Sequence, residues 1–416
     1  MWSWSWSCCW SPTSPGSWRS CRARSAIEGI SGNAMFATRN DSKQLKVGFI
    51  EKIESLYDSN FAGLLNIVFQ TKGAGMKKTI LILPVLSLVL LFHASCIREI
   101  NAPQRTIRVA MLASGTTFDD MAFLQNCKTG LERAKTDFGL ECVYDIDTST
   151  ARYRERLERF GDRNFDLILA VGYMWNDAVV QAAPQYPGTR FVLVDAGLSE
   201  PQANAVSILF DVDEAAYPLG FLSAWWAFHH GDGNPAVGFV GALEIPQIRQ
   251  FIEPYLNGVD RHNRKYGKHV AHYGDYAGTF VDFDLGGQIA DSLISLGADV
   301  IFGVGGLTGN GALLKAGERG KQGIGVDVDQ TISFPEVSDI LLSSAMKGLD
   351  HAVYAVVKSH TENNFDGGGV YTGNLANRGV DLAPYHAYQS QIPDSIQTEI
   401  ETIRAGIMDG SISTGW

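Results

Sequence analysis

Between residues 105 and 411, short apolar runs alternate with longer stretches whose apolar positions recur at helical spacing. That is the pattern of repeated βα units. Residues 107–113 read as a strand, 121–137 as a helix, 140–144 as a strand and 151–160 as a helix. Residues 165–171 and 190–195 are near-continuous apolar runs on either side of a helix at 176–185, and such runs suit strands buried on both faces. A strand at 205–210 and a helix at 214–228 follow, and the alternation restarts at 236–241. Repeated βα units build parallel sheets with helices on both faces. Two such series, parted near Phe210, predict two similar α/β lobes rather than one closed barrel, with a ligand between them.

One stretch organises the second series. Ala298-Asp-Val-Ile-Phe-Gly-Val-Gly-Gly-Leu-Thr-Gly-Asn-Gly311 is an apolar run too short for a helix that meets glycines, after which Ala312, Leu313, Leu314 and Ala316 take up helical spacing. Strand, tight turn and helix are expected, with the helix N-terminus facing a crevice. Two nucleotide motifs fail here. Gly306 to Gly311 has Walker spacing, but Ala312 and Leu313 stand where Lys and Ser or Thr are required; Gly303 and Gly305 would need a glycine where Thr308 sits. Phosphate binding is disfavoured, and a ligand with hydroxyls and a ring is expected. The competing reading is that these glycines serve only close helix–strand packing.

Composition changes this picture mainly at the N-terminus. The chain has 416 residues, enough for two domains, and a net charge of −11. Residues 1–78 hold ten Lys and Arg against five Asp and Glu, so the body is more acidic still and does not suit nucleic acid. Five of the nine tryptophans fall within the first 21 residues, among Ser, Pro and Arg, without hydrophobic periodicity. At Met76 a recognisable order begins: Lys77 and Lys78, an apolar stretch from 79 to 92, then His93-Ala-Ser-Cys96. This is the layout of a signal peptide ending in a lipoprotein processing site, its apolar run short of the ~20 residues of a membrane span. Residues 1–75 are expected to be a gene-model extension, 76–95 the signal peptide, Cys96 the lipidated residue and 96–104 a tether. Only Cys127 and Cys142 follow Cys96, too few for a disulfide framework or a zinc cluster. They allow one disulfide or two buried free thiols, the second being favoured.

Five blocks then carry a resemblance: Asp119-Asp-Met-Ala-Phe-Leu-Gln125, Val171-Gly-Tyr-Met-Trp-Asn-Asp177, Gly241-Ala-Leu-Glu-Ile-Pro-Gln-Ile-Arg-Gln-Phe251, Gly305-Gly-Leu-Thr-Gly-Asn-Gly311 and Gly325-Val-Asp-Val-Asp-Gln330, with Ser344-Ala-Met-Lys347 close behind. In their order and spacing the chain resembles the basic membrane protein (BMP) family of substrate-binding lipoproteins over essentially all of 105–411. The resemblance implies a type I periplasmic-binding-protein fold, with two doubly wound parallel-sheet lobes joined by a three-crossing hinge. Residues 105–209 with about 347–380 would form one lobe, and 210–346 with about 381–411 the other. It further implies a monomeric, lipid-anchored, extracytoplasmic receptor that binds a nucleoside, purine by preference, for the permease and ATPase of an ABC importer. Neither catalysis, cofactor nor metal is implied.

The residues are chemically suited to that ligand. A nucleoside offers a flat base for aromatic stacking and two adjacent ribose hydroxyls that a carboxylate can accept. The matching blocks supply Phe251 with Phe118 or Phe123 as stacking rings, Asp120, Asp177 and Asp327 as carboxylates near strand ends, Gly306 for close backbone approach, and Lys347 beside the hinge. Ser114 and Leu124 stand where the family commonly has Asp and Asn, and Tyr173 and Trp175 are bulkier than the usual aliphatics. Alternatives stay open: Phe123 as core, Asp327 as a turn cap, Asp177 as an acidic residue complementing a helix dipole. A nucleoside hydrolase is the rival from another class, but it needs a dense Asp cluster after its first strand, where this chain has Ala113-Ser114-Gly115. A sensing receptor is the third reading.

If Cys96 is the lipidated residue, cells expressing the chain from Met76 incorporate radioactive palmitate into the wild type and not into Cys96→Ala. Equal label in both would discard the lipoprotein assignment.

Overall fold

The computed structural model describes residues 105–416; the expected extension, signal peptide, Cys96 and tether lie outside them. The strands of the first series are β1 (Arg108–Ser114), β2 (Glu141–Asp147), β3 (Leu167–Val171), β4 (Arg190–Val194) and β5 (Ala205–Phe210). Between them lie α1 (Phe123–Phe138), α2 (Tyr153–Asp162) and α3 (Asn176–Ala182). The second series holds α4 (Asp213–His230), β6 (Ala236–Gly241), α5 (Pro246–Tyr266), β7 (Ala271–Tyr276), α6 (Phe283–Ser295), β8 (Ala298–Val304), α7 (Gly306–Glu318), β9 (Gln322–Asp327), α8 (Gln330–Ser333) and β10 (Leu341–Lys347). Then come α9 (Leu349–Thr361), β11 (Val370–Gly373), β12 (Val380–Leu382) and α10 (Asp394–Met408).

The apolar runs do become the buried strands. Every residue of β3 and of β8 is buried, as expected for central strands covered on both faces. The edge strands β2 and β7 keep mostly half-buried or exposed residues. Where helix ends differ from expectation, the cause is local. The helix expected over 176–185 stops at Ala182 and continues as a tighter turn with a proline at its start. The helix expected to begin near Ala312 begins at Gly306, so three of the motif's glycines lie inside it.

Two six-stranded sheets result, ordered β11-β5-β4-β3-β1-β2 and β12-β10-β9-β8-β6-β7. All neighbours are parallel except β12, which returns antiparallel to β10. The registers level the strand ends: Ala113 lies opposite Val171 and Val171 opposite Val194 in the first sheet, as Gly241 lies opposite Val304 in the second. The chain passes between the sheets three times, after β5, after β10 and between β11 and β12. These crossings are tied side by side, Asp211 N–H donating to Gly373 C=O at 2.8 Å and Gly348 N–H to Gly379 C=O at 2.8 Å. A doubly wound sheet places its ligand outside the carboxyl ends of the strands, and the hinge holds two such ends toward each other. Cys127 and Cys142 are both free thiols.

Helix α4 is buried along nearly its whole length and carries no apolar stripe, because it is covered on all sides. It crosses α5 backbone to backbone at two glycines. A Cβ on Gly220 would come within 1.8 Å of the Tyr255 carbonyl oxygen, and one on Gly258 within 2.0 Å of that of Tyr217. Since neither obstacle is a flexible side chain, Gly220→Ala should lower unfolding free energy by about 1–3 kcal/mol. Gly188→Ala, where nothing lies within 4 Å, should stay within about 0.5 kcal/mol of wild type. Urea unfolding of the two variants checks this, and equal midpoints would show that the helices part freely.

Candidate functional site

A cavity of about 420 Å³ opens between the two sheets at their carboxyl ends, a size within the range of small-molecule sites, roughly 300–1,000 Å³. The first sheet contributes Ser114 from the end of β1, Gly172 and Tyr173 after β3, and Asp195 after β4. The second contributes Gly305 and Gly306 after β8, Asp327 from β9 and Lys347 from β10. Phe251 reaches it from the second turn of α5, and Phe123 from the first turn of α1.

Its electrostatic centre is Lys347. The ammonium is buried, lies 3.0 and 3.1 Å from the two carboxylate oxygens of Asp195 and 3.7 Å from Oδ1 of Asp327. Three rings surround it, with centroids at 5.1 Å for Phe251, 5.4 Å for Phe123 and 5.7 Å for Phe210, within cation–π range. Burial alone would pull its pKa down, but Asp195 and Asp327 outweigh burial and hold it above the ordinary value. For Asp327 burial is the largest cause and pushes the carboxyl up to about 6, with Lys347 offsetting part of the rise. Asp195 and Asp327 both sit in the left-handed region, at φ 68° and 66°. Asp tolerates this conformation better than most residues, and such strain clusters at ligand sites.

These two aspartates are equivalents. Strands β4 and β9 hold the third place in their respective sheets, and each is followed or ended by a left-handed Asp that meets the same lysine. Gly172 after β3 and Gly305 after β8 repeat the relation one strand over, at φ 106° and 119°. Both glycine turns line the cavity.

The glycine motif divides by role. A Cβ on Gly311 would meet the Phe283 carbonyl at 1.9 Å and one on Gly303 that of Gly309 at 2.5 Å, so these serve packing. Gly305 and Gly306 form the cavity wall. Packing and access therefore both hold, and they meet at Gly305, where a Cβ would also come within 2.4 Å of the Ala242 side chain.

Of the other expected site residues, Ser114, Asp120, Phe123, Tyr173 and Phe251 also line the cavity. Asp120 is largely spent within its own lobe: its carboxylate accepts from the backbone N–H groups of Ala122, Leu124 and Gln125 at 3.1, 3.0 and 3.0 Å, capping α1. Burial holds its pKa above the ordinary carboxylate value, and those hydrogen bonds offset only part of the rise. Two others do not line the cavity. Phe118 is turned into the core, edge to face with Tyr144 at 5.7 Å, leaving Phe123 as the ring from that block. Asp177 is exposed in the first turn of α3, away from the cavity, where it complements the helix dipole. Trp175 is likewise not a pocket wall but fully buried, packed against Tyr153 at 4.5 Å.

Asp195 escaped the sequence reading although Phe191-Val-Leu-Val-Asp195 repeats the form of Ile324-Gly-Val-Asp327. The lips of the cleft meet across the lobes: Asn310 Nδ2 donates to the carbonyl of Asp120 at 3.1 Å and Ser333 Oγ to that of Met121 at 2.6 Å. Met121 itself packs against the second lobe's cluster of Leu313, Phe334, Val337 and Leu341.

Two sheets hinged at three crossings, with a cavity walled by rings, glycine turns and balanced charges between them, define a solute-binding protein. The comparisons agree. A family model described as ABC transporter substrate-binding protein PnrA-like matches residues 106–412, and the chain belongs to that family. It is 32% identical over 318 residues to an uncharacterised lipoprotein of Pyrococcus furiosus, covering 73% of this chain and 77% of that one. It is 27% identical over 344 residues to basic membrane protein A of Borreliella burgdorferi, with 81% and 95% covered. Among solved structures, an ABC transporter solute-binding protein of Aeropyrum pernix superposes with a TM-score of 0.68 at 28% identity, covering 74% and 92%.

The folded chain holds the Asp327 proton more tightly than the unfolded chain, whose carboxyl titrates at its ordinary value of 3.8. Stability contributed by this group is therefore fully present below about pH 4 and is lost as pH rises to about 6. Without added ligand, the melting temperature of wild type relative to Asp327→Asn should fall across that window and level off above it. A difference that stays flat from pH 4 to 6 would refute the raised pKa.

Proposed function

We propose that the chain is a lipid-anchored, extracytoplasmic receptor that closes on a nucleoside and delivers it to the permease and ATPase of an ABC importer. The observation that carries the reading is the joining of two unlike surfaces at one point. Asp195 and Asp327, set by Lys347, present hydroxyl acceptors, and the rings of Phe123 and Phe251 lie beside that same ammonium. A ribose donates two adjacent hydroxyls and a base offers a flat apolar face, so a nucleoside suits both surfaces. The naming of relatives as lipoproteins and basic membrane proteins supports the anchor.

Calorimetry with adenosine, guanosine, inosine, uridine and free adenine tests this. Phe251→Ala should weaken nucleosides by about 1–3 kcal/mol, the range for a base lost from an aromatic platform, or roughly 5- to 150-fold. Asp327→Asn should weaken nucleosides and spare adenine, because an amide accepts with only one oxygen and adenine has no ribose. Wild-type protein that binds sugars or amino acids but no nucleoside would sink the proposal, and adenine binding as tightly as adenosine would remove the ribose role of Asp327.

A further inference from the structure

Gln247 is a cavity-lining residue to which neither the family match nor the charge centre gives a task. It is the second residue of α5, four before Phe251, so the two lie one helical turn apart on the same face. Phe251 stands 5.1 Å from the Lys347 ammonium, which marks the hydroxyl-accepting end of the site. Between Phe251 and Gln247 the cavity wall is Ile248, and Ile245 precedes them; this stretch of the wall is apolar apart from the amide.

The amide itself is incomplete. Its Oε1 is shut off from solvent and accepts no hydrogen bond. Among the described residues it alone combines a buried, partnerless side-chain polar atom with a place on the cavity wall. Three other polar groups there are engaged within the protein: Asp120 by three backbone N–H groups, Asp195 by Lys347, and Ser114 by the Tyr153 hydroxyl at 3.0 Å. Buried polar groups in native proteins are satisfied almost without exception, so an amide on the cavity wall whose oxygen has no partner points to a donor supplied by the ligand when the side chain turns that oxygen into the cavity.

We infer that Gln247 reads the edge of the bound ring and sets which base is preferred. The inference rests on the nucleoside reading above. A ring stacked at Phe251 with its sugar toward Lys347 directs its far edge along the helix toward Gln247. A carboxamide carries a donor beside an acceptor and pairs with any ring edge offering the converse, as the adenine N6 and N7 edge does. A carboxylate accepts only and instead suits an edge with two donors, such as guanine N1–H and N2–H₂.

Two variants test it: Gln247→Met removes the hydrogen bond at nearly constant volume, and Gln247→Glu makes the position accept only. Both should fold, since the site is in the first turn of a helix where a carboxylate is favoured, and melting curves check this. By calorimetry, Gln247→Met should weaken the best-bound nucleoside about 5- to 150-fold, the discrimination typical of a paired base edge. Gln247→Glu should move the adenosine-to-guanosine affinity ratio toward guanosine by at least about 5-fold. Phe251→Ala should weaken both nucleosides while leaving that ratio within about 2-fold. If both Gln247 variants keep the wild-type affinities and ratio, Gln247 is no reader, although the nucleoside reading stands. If the wild type binds no nucleoside, the inference falls with the reading that supports it.

Discussion

One ammonium holds the two halves of this protein in register. Lys347 ends the last strand before the second hinge crossing, and its partners come from opposite sheets, Asp195 from the first and Asp327 from the second. Removing such charges from water costs several kcal/mol each, and a buried ion group is seldom worth more than an apolar one of equal volume. Its value must lie elsewhere. Without the lysine, two carboxylates and the nearby Asp120 would repel across the closed cleft; with it, the lobes meet over a charge-paired floor. The surrounding phenylalanines lower the local dielectric and sharpen that pairing. They also supply the faces on which a ring can lie, so the same residues that keep water away from the ions shape the cavity.

The ion group is the point where the structural repeat of the two sheets becomes chemistry. The sheets have matching strand order, and at the third and fourth places each turns with the same device, a left-handed Asp and a left-handed Gly. Repetition alone would give two identical half-sites. The halves differ where the hinge breaks the symmetry: β10 ends in Lys347, while its counterpart β5 ends in Phe210, one of the rings around that lysine. One lobe thus offers the cation and the other part of its cage.

Much of this was legible in the sequence because burial leaves a periodic trace. The runs at 165–171, 190–195 and 298–304 could only be covered strands, and their alternation with helices fixed two parallel sheets. What periodicity does not carry is the path of a loop. Phe118 and Phe123 stand in one block, and which of them faces the cavity depends on the turn between, where Met121 adopts φ 59° and crosses to the other lobe. Asp177 and Trp175 share a block with Tyr173, yet the tight turn after Gly172 sends Tyr173 to the cavity and Trp175 into the core, while Asp177 stays exposed on α3. Asp195 carries no periodic signal of its own, because an aspartate closing an apolar run looks like any strand end. Its signal lies in the repeat between the two series, where it takes the place that Asp327 takes at the end of the third strand of the second sheet.

The same charges that suit the proposed nucleoside argue against its phosphorylated forms. Three carboxylates face the cavity, and the single ammonium already lies within 3.7 Å of two of them. A phosphate monoester would bring about −1.5 to −2 more charge at neutral pH. The turn at Gly305–Gly306 has backbone N–H groups but no lysine or arginine of the motif behind it, so nothing there balances the added charge in a site of low dielectric. Hydroxyls act in the opposite sense. By donating to Asp327 they stabilise its charged form and draw down a pKa that burial had raised to about 6, so a hydroxylated ligand relieves the strain of closure where an anionic one would add to it.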